Sequence, residues 1–286
     1  MVDTDLDESG FEILAHPTRL RILAVLVDRR KTSTEPLDFA ELRRRVGMRD
    51  SGNFNYHLEK LRGRFVKGTD DGYRITAAGL QVVAAALAGE YDAGEPLGPT
   101  RLEDECPVCA EPLTARYADG MLTVSCSNEH GFRNAVARRT VEERGLVDAV
   151  EVLTITTHKD LKLACDGLCP VCHGPLEWAD ERVTAEGLDP DFPHFSTRCD
   201  RCGASADVPV VFPLLSRPAV IAFYHEREID IRRRPVWASE FYDGVDVADR
   251  SDATESRLAV TVSVDGDALT GILDEHLSVV SIDIDG

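Results

Sequence analysis

Eight cysteines lie between Cys106 and Cys202, and seven of them fall into two sets. The first set is Cys106-x-x-Cys109 followed by Cys126-x-x-x-His130. The second is Cys169-x-x-Cys172 followed by Cys199-x-x-Cys202. Two thiolates spaced two residues apart in a tight turn can share one tetrahedral ion, and the next hairpin can bring two more ligands to it. The repeat continues past the ligands: "CPVCAEPLTARY" stands beside "CPVCHGPLEWAD". The spacing therefore predicts two structural zinc ions per chain. Each has four protein ligands and no open position for a substrate. Disulfides are the alternative use of the same residues, but the acidic start "MVDTDLDE" is no secretory signal, and disulfides persist in oxidising compartments.

The elements around these ligands must hold them in place. Both sets look like zinc ribbons. In the first, "LTARYADGMLTVSC" reads as a hairpin about Asp119-Gly120 that returns the chain to Cys126. In the second, the Cys-Pro-Val-Cys turn runs on into a strand. Between them, "TVEERGLVDAVEVLTITTHKDLKLACDG" opens with Thr140 and Glu143, a capping box, and ends near Gly167. It reads as a helix bridging the ribbons, although the β-branched run Val152 to Thr157 would also suit an extended segment. Cys165 is left over and reads as a small packed residue. His173 and His194 flank the second set outside its ligand spacing.

A different chemistry sits nearer the start. The chain has 286 residues and a formal charge of −19, with 51 acidic against 32 basic side chains. Yet residues 19 to 67 hold 13 basic and 6 acidic side chains. Here "FEILAHPTRLRILAVLVD" (11–28) has helical apolar spacing, with Leu20, Leu23 and Val27 on one line and Pro17 suited to a first turn. "LDFAELRRRVG" (37–47) reads as a short helix capped by Asp38 and ended by Gly47. A third helix starts near Ser51. At about 100° per residue it puts Phe54, Leu58 and Leu61 on a core face and Gly52, Asn53, Asn55, Tyr56 and Lys60 on the other. His57 sits at the edge of the core face as a packed residue. Asn, Tyr and Lys side chains can read bases or contact phosphate. In "RFVKGTDDGYRIT" two β-prone runs flank Asp71-Gly72, a hairpin signal that would bring Arg64, Lys67 and Arg74 to a sugar-phosphate backbone. Thr76 then caps a last helix, 77–90, whose small face of Val82, Val83, Ala86 and Leu87 suits close helix packing.

The segments "HPTRLRILAVL", "DFAELRRRVG", "FNYHLEKL" and "DGYRITAAG" resemble the winged helix-turn-helix of the ArsR superfamily of transcriptional regulators, over about a third of the chain. The resemblance implies dimerisation and major-groove reading of double-stranded DNA by residues near Ser51, Asn53, Asn55 and Tyr56. The superfamily's metal-sensing members carry a Cys pair in the second DNA-binding helix. Residues 37–63 contain no Cys, so that sensing mode is not expected. Of the 32 basic residues 27 are Arg, and Asp outnumbers Glu by 29 to 22. This composition resembles proteins of salt-accumulating halophilic archaea.

Residues 91–104, rich in Gly, Pro and charge, read as a linker. "SRPAVIAFYHERE" (216–228) reads as an apolar helix, followed by the alternating runs "RLAVTVSVD", "ALTGILD" and "LSVVSIDID" with a turn at Asp265-Gly266. The Arg232–Arg234 run fits a solvated loop or a second phosphate contact, and Trp237, Phe241 and Tyr242 fit a core or a ligand pocket. This part resembles uncharacterised domains that follow ArsR-type winged helices in haloarchaeal proteins, a resemblance that implies no known ligand. The expected fold is multidomain α+β. A winged helix-turn-helix spans 9–90, two zinc ribbons with a bridging helix span 105–206, and a C-terminal α/β domain for sensing or interaction spans 207–286.

The expected function is a dimeric, sequence-specific DNA-binding regulator, with an effector ligand or RNA polymerase as the further partner. A basal transcription factor is the alternative. The archaeal counterpart of the large subunit of a general initiation factor also joins a winged helix to a zinc ribbon, but the polar base-reading face argues for the regulator. The most apolar run, 208–224, contains three prolines and Arg217, so no membrane partner is expected and the chain reads as cytoplasmic. No nucleophile–base pair, phosphate-binding glycine loop or open metal site is evident, so no catalytic residue is expected.

Overall fold

The structure, a computed structural model, describes residues 8–92, 94–183, 193–252 and 254–285. The chain divides into two compact units, Met1–Asp92 and Ala93–Gly286. It is α+β throughout, and every sheet pairing is antiparallel.

The first unit contains α1 (Ser9–Leu14), α2 (Pro17–Thr32), α3 (Phe39–Val46), α4 (Ser51–Leu61), β1 (Val66–Thr69), β2 (Gly72–Ile75) and α5 (Ala77–Ala88). The expected opening helix is two helices. A residue before proline is pushed to extended backbone, and His16 takes φ −150° there while its Nδ1 accepts the Thr18 N–H. Asp38 caps α3 through the Glu41 N–H at 2.8 Å, and Gly47 ends it in the left-handed conformation. Asp50 caps α4 by accepting from Gly52 and Asn53. Ile22, Leu23, Leu42, Phe54, Leu58 and Leu61 are fully buried and form the core. Leu20 does not join its expected line with Leu23 and Val27: it is exposed.

The hairpin pairs Lys67 with Arg74 and Thr69 with Gly72, so its turn residues are Asp70 and Asp71, and Gly72 opens β2 rather than closing the turn. Tyr73 exchanges backbone hydrogen bonds with Leu37, which fastens the hairpin to the entry of α3. Gly72 stands where that crossing is tightest. Its φ is +138°, and a Cβ there would lie 2.2 Å from the Leu37 carbonyl oxygen. Thr76 caps α5 as expected. Of the small face, Val83 is buried, whereas Ala86 and Leu87 are exposed.

The second unit opens with a four-stranded sheet in sequential order: β3 (Leu97–Glu105), β4 (Pro112–Ala118), β5 (Met121–Ser125) and β6 (Gly131–Ala135). Most of the segment read as a linker is therefore strand. Gly98 and Pro99 lie at the first of two breaks in the β3–β4 register, yet Leu102 is buried and pairing continues on both sides of the breaks. The bridging helix α6 (Arg138–Cys165) packs on this sheet and is interrupted at Gly145 (φ 79°, ψ 166°). It starts before Thr140, with no side-chain cap, so the capping-box reading fails. Arg138 anchors this end instead, to Glu142 at 2.8 Å and to the Glu95 carbonyl. Residues 152–157 are helical despite their β-branched side chains: Leu153 and Thr154 are buried, and the hydroxyls of Thr154 and Thr156 are satisfied by the carbonyls of Val150 and Val152.

A three-stranded sheet follows, β7 (Leu176–Val183), β8 (His194–Cys199) and β9 (Ser205–Pro209), then α7 (Phe212–Leu215) and α8 (Pro218–His225). The last sheet orders β10 (Val245–Asp249), β11 (Leu258–Val264), β12 (Asp267–Leu273) and β13 (Val279–Asp285). The three expected strands are present, and β10 is added at the edge. One core runs from Leu102 to Leu277, so no break in packing separates 105–206 from 207–286. No helix among the described residues is long and apolar enough to cross a membrane.

Gly72→Ala is expected to destabilise the first unit by about 1–3 kcal/mol through the clash with Leu37. Both tryptophans, Trp178 and Trp237, lie in the second unit. Far-UV circular dichroism should therefore show an early-melting fraction that Trp fluorescence does not. Coincident, unshifted transitions would contradict the assignment.

Candidate functional site

Three of the four ligand pairs are delivered by turns with the same backbone. Cys106 N–H donates to the Glu111 carbonyl and its own carbonyl accepts from Ala110; Cys169 does the same with Gly174 and His173, and Cys199 with Ala204 and Gly203. Each of these turns closes on a residue at positive φ: Ala110 at 58°, His173 at 54°, Gly203 at 74°. The Cys126–His130 turn is a variant in which Cys126 N–H reaches the His130 carbonyl and Glu129 takes φ 65°. The carbonyl-to-amide closure points both side chains of a turn to one side, where the two turns of a set meet.

The sulfur and nitrogen atoms meet at distances an ion would set. Cys109 and Cys126 Sγ are 3.7 Å apart, and His130 Nδ1 lies 3.6 Å from the Sγ of both Cys106 and Cys126. In the second set Cys169 and Cys202 are 3.7 Å apart, Cys172 and Cys199 3.5 Å. Within each set all four ligand atoms lie within 4.8 Å of one another. Metal–sulfur bonds of about 2.3 Å and metal–nitrogen bonds of about 2.0–2.1 Å in a tetrahedron give edges of about 3.8 and 3.6 Å. Both sets can hold a metal ion. All eight cysteines are free thiols, so the disulfide alternative does not describe this structure.

The thiols are not equivalent. The Asn128 side-chain amide, 3.4 Å from Cys109 Sγ, holds that thiol down at about 6, and the Cys202 backbone N–H holds Cys199 at about 7. Burial pushes Cys106 up to about 11. An ion binding the first set would displace protons from its less acidic ligands, so its affinity rises with pH. Burial pushes Cys165 up to about 12, which fits the packed residue expected and no ligand. His173 is exposed and His194 buried, and neither joins a set. Asn128 carried no signal in the sequence beyond its place between Cys126 and His130.

In the first unit the polar residues of α4 are sorted as its periodicity requires. Phe54, His57, Leu58 and Leu61 are buried, while Ser51, Gly52, Asn53, Asn55, Tyr56 and Lys60 are exposed. Lys60 Nζ lies 5.7 Å from the centre of the Tyr56 ring, so the two share a patch. Lys67 and Arg74 are exposed and side by side across the hairpin, but its turn is acidic. Arg64 departs from expectation: its Nη1 donates to Ser9 Oγ at 2.9 Å, which ties it to α1. Sequence reasoning missed the Asp50 cap, which takes up the N–H groups at the start of α4. It also passed over Arg43, Arg44 and Arg45, of which the last two are paired with Glu41. The Arg232–Arg234 run is partly paired as well, Arg232 with Asp230 and Arg234 with Glu240.

Two outcomes follow. Metal analysis of the purified chain is expected to give two ions, and His130→Ala about one; a single ion in the unaltered protein would remove the first set. The second concerns His57, whose ring packs 4.2 Å from that of His16 and whose Nδ1 has no hydrogen-bond partner. Burial, then His16 and Arg19, lower its pKa from 6.5. The unfolded chain therefore takes up a proton first, and the unit loses stability as pH falls below 6.5. His57→Leu should flatten that dependence in denaturant titrations from pH 8 to 5.

The comparisons divide the chain as the structure does. No curated protein matches it. Among solved structures it is similar to the Rio2 kinase-ADP/Mg2+-phosphoaspartate complex from Chaetomium thermophilum, at 12% identity over 80% of this chain and 81% of that one, with a TM-score of 0.30. A likeness at that level carries no argument about fold or chemistry. The family described as domain of unknown function DUF7347 matches residues 7–86, within the first unit. The family described as domain of unknown function DUF7351 matches residues 103–279, which include both ligand sets and most of the second unit's core. That match spans more than half of the sequence, and the chain belongs to the DUF7351 family.

Proposed function

We propose that the chain is a sequence-specific DNA-binding transcriptional regulator of ArsR type, active as a homodimer and carrying two structural zinc ions. The observation that carries this reading is the division of α4 into a buried apolar face and an exposed polar one. A short helix, a turn, α4 and a hairpin follow in the order of a winged helix-turn-helix. In this reading α4 enters the major groove with Asn53, Asn55 and Tyr56 at base edges, and Lys60, Lys67 and Arg74 meet phosphates. Arg64 instead braces α1. Exposed Leu87 on α5 and Phe11 on α1 offer apolar surface to a second copy.

Zinc is supported by the donor sets. Thiolates with one imidazole, at tetrahedral spacing and with four protein ligands, suit a closed structural zinc site. Cys106, Cys109, Cys126 and His130 would hold one ion, and Cys169, Cys172, Cys199 and Cys202 the other. Each would cross-link two turns of its ribbon. No step of chemistry is assigned to the metals.

Asn55→Ala and Tyr56→Ala are each expected to weaken binding to the cognate site by about 1–3 kcal/mol per lost base contact, with nonspecific binding little changed. The site comes from chromatin pull-down mapped across the source genome. A few sharp peaks sharing an inverted repeat, and variants that lose them, are the expected result. Broad occupancy at most active promoters would overturn it in favour of a basal factor.

A further inference from the structure

The internal repeat allows one half of the second unit to be read against the other. Cys106, Cys109, Cys126 and His130 correspond to Cys169, Cys172, Cys199 and Cys202, with β4 to β6 matching β7 to β9. The two Cys-Pro-Val-Cys turns have the same sequence and the same backbone hydrogen bonds. Their surroundings differ. The first is faced by an aromatic segment of the same chain: Trp237 and Tyr242 lie across a crevice from Pro107 and Val108 that leaves about 10 Å3, room for one water. Phe132, two residues after His130, supports that segment, with ring centres 5.8 Å from Trp237 and 6.5 Å from Tyr242. The second turn is more open. Val171 is 72% exposed where its counterpart Val108 is 37% exposed. Leu168 and Cys202 are exposed beside it, and Ala206 takes the place of Phe132.

We infer that the Pro170–Val171 turn is a docking surface for a partner protein segment that presents an aromatic side chain flanked by acidic residues. The covered turn supplies the aromatic part of that description. The acidic part comes from charge. Arg201, exposed, lies over the turn with its Nη1 3.2 Å from the Cys172 carbonyl, and Arg198 is exposed on the adjacent strand. The cis segment has the same character, "WASEFYD", with Glu240 and Asp243 around its rings. A second copy placed turn against turn would bring two four-thiolate centres together, each of net negative charge when metal-filled, and like charges at close range repel.

The test uses the full, metal-loaded chain and a fluorescent peptide of residues 235–244, "PVWASEFYDG". Anisotropy is expected to rise saturably. Val171→Asp should weaken binding at least tenfold while metal content stays at two ions, which shows the ribbon intact. The peptide with Trp237→Ala should bind no better than a scrambled one. Absence of binding, or equal binding to Val171→Asp, would overturn the inference. So would a self-association that Val171→Asp abolishes in sedimentation without any peptide binding, since the surface would then belong to a second copy. None of these readouts depends on DNA, so failure here leaves the proposed DNA-binding role untouched, and the reverse holds.

Discussion

Four ligand atoms must converge to within 4.8 Å in each of two places, and the second unit is built around that requirement. Side chains as short as Cys leave little reach, so the backbone does the positioning. It does so with four tight turns, three of them alike, each holding one residue in the left-handed region. For Ala110, His173 and Glu129 that conformation costs about 1–2 kcal/mol apiece, because L side chains crowd the following carbonyl. A metal that bridges two turns of a set offsets such strain by many times its size. The strands follow from the turns. β5 ends at Ser125, one residue before Cys126, and β8 ends at Cys199, so ligand position and sheet register are fixed together. The same packing then reaches outward, since Phe132, two residues past the first set, meets Trp237 and Tyr242, more than 100 positions further along the chain.

Much of this was legible because ligand chemistry and periodicity leave local marks. The two sets were readable from spacing alone, since only residues a fixed number apart can close such a turn. The faces of α4 were readable because one angle per residue sorts Phe54, Leu58 and Leu61 from Asn55 and Tyr56. What escaped depends on partners far away in sequence. The strand Leu97–Glu105 looks like a linker until β4 pairs with it and Leu102 is buried. Residues 152–157 look extended until the helix packs on the sheet and buries Leu153 and Thr154. Leu20 fits its helical line, but it stays exposed. Arg64 looks like part of a basic hairpin, and the residue that engages it, Ser9, is 55 positions away.

The distribution of charge ties the two units to one physical problem. The overall charge of −19 would repel a polyanion in dilute buffer. The surplus of cations lies in residues 19–67, but the structure commits part of it internally: Arg44 and Arg45 to Glu41, Arg62 to Glu59, Arg29 to Glu35. What else stays exposed around α4 and the hairpin includes Arg49, Lys60, Lys67 and Arg74, beside an acidic turn at Asp70 and Asp71. Such a surface is poor at nonspecific attraction. At about 1 M salt the Debye length falls to about 3 Å, and repulsion from distant carboxylates disappears with most of the attraction. Under those conditions direct contacts decide binding, and neutral donors and acceptors such as Asn53, Asn55 and Tyr56 lose little. On the proposed reading, the exposed amide-and-phenol face of Asn53, Asn55 and Tyr56 would keep base discrimination when long-range electrostatics are gone, and that would reconcile so acidic a chain with the DNA-reading helix we propose.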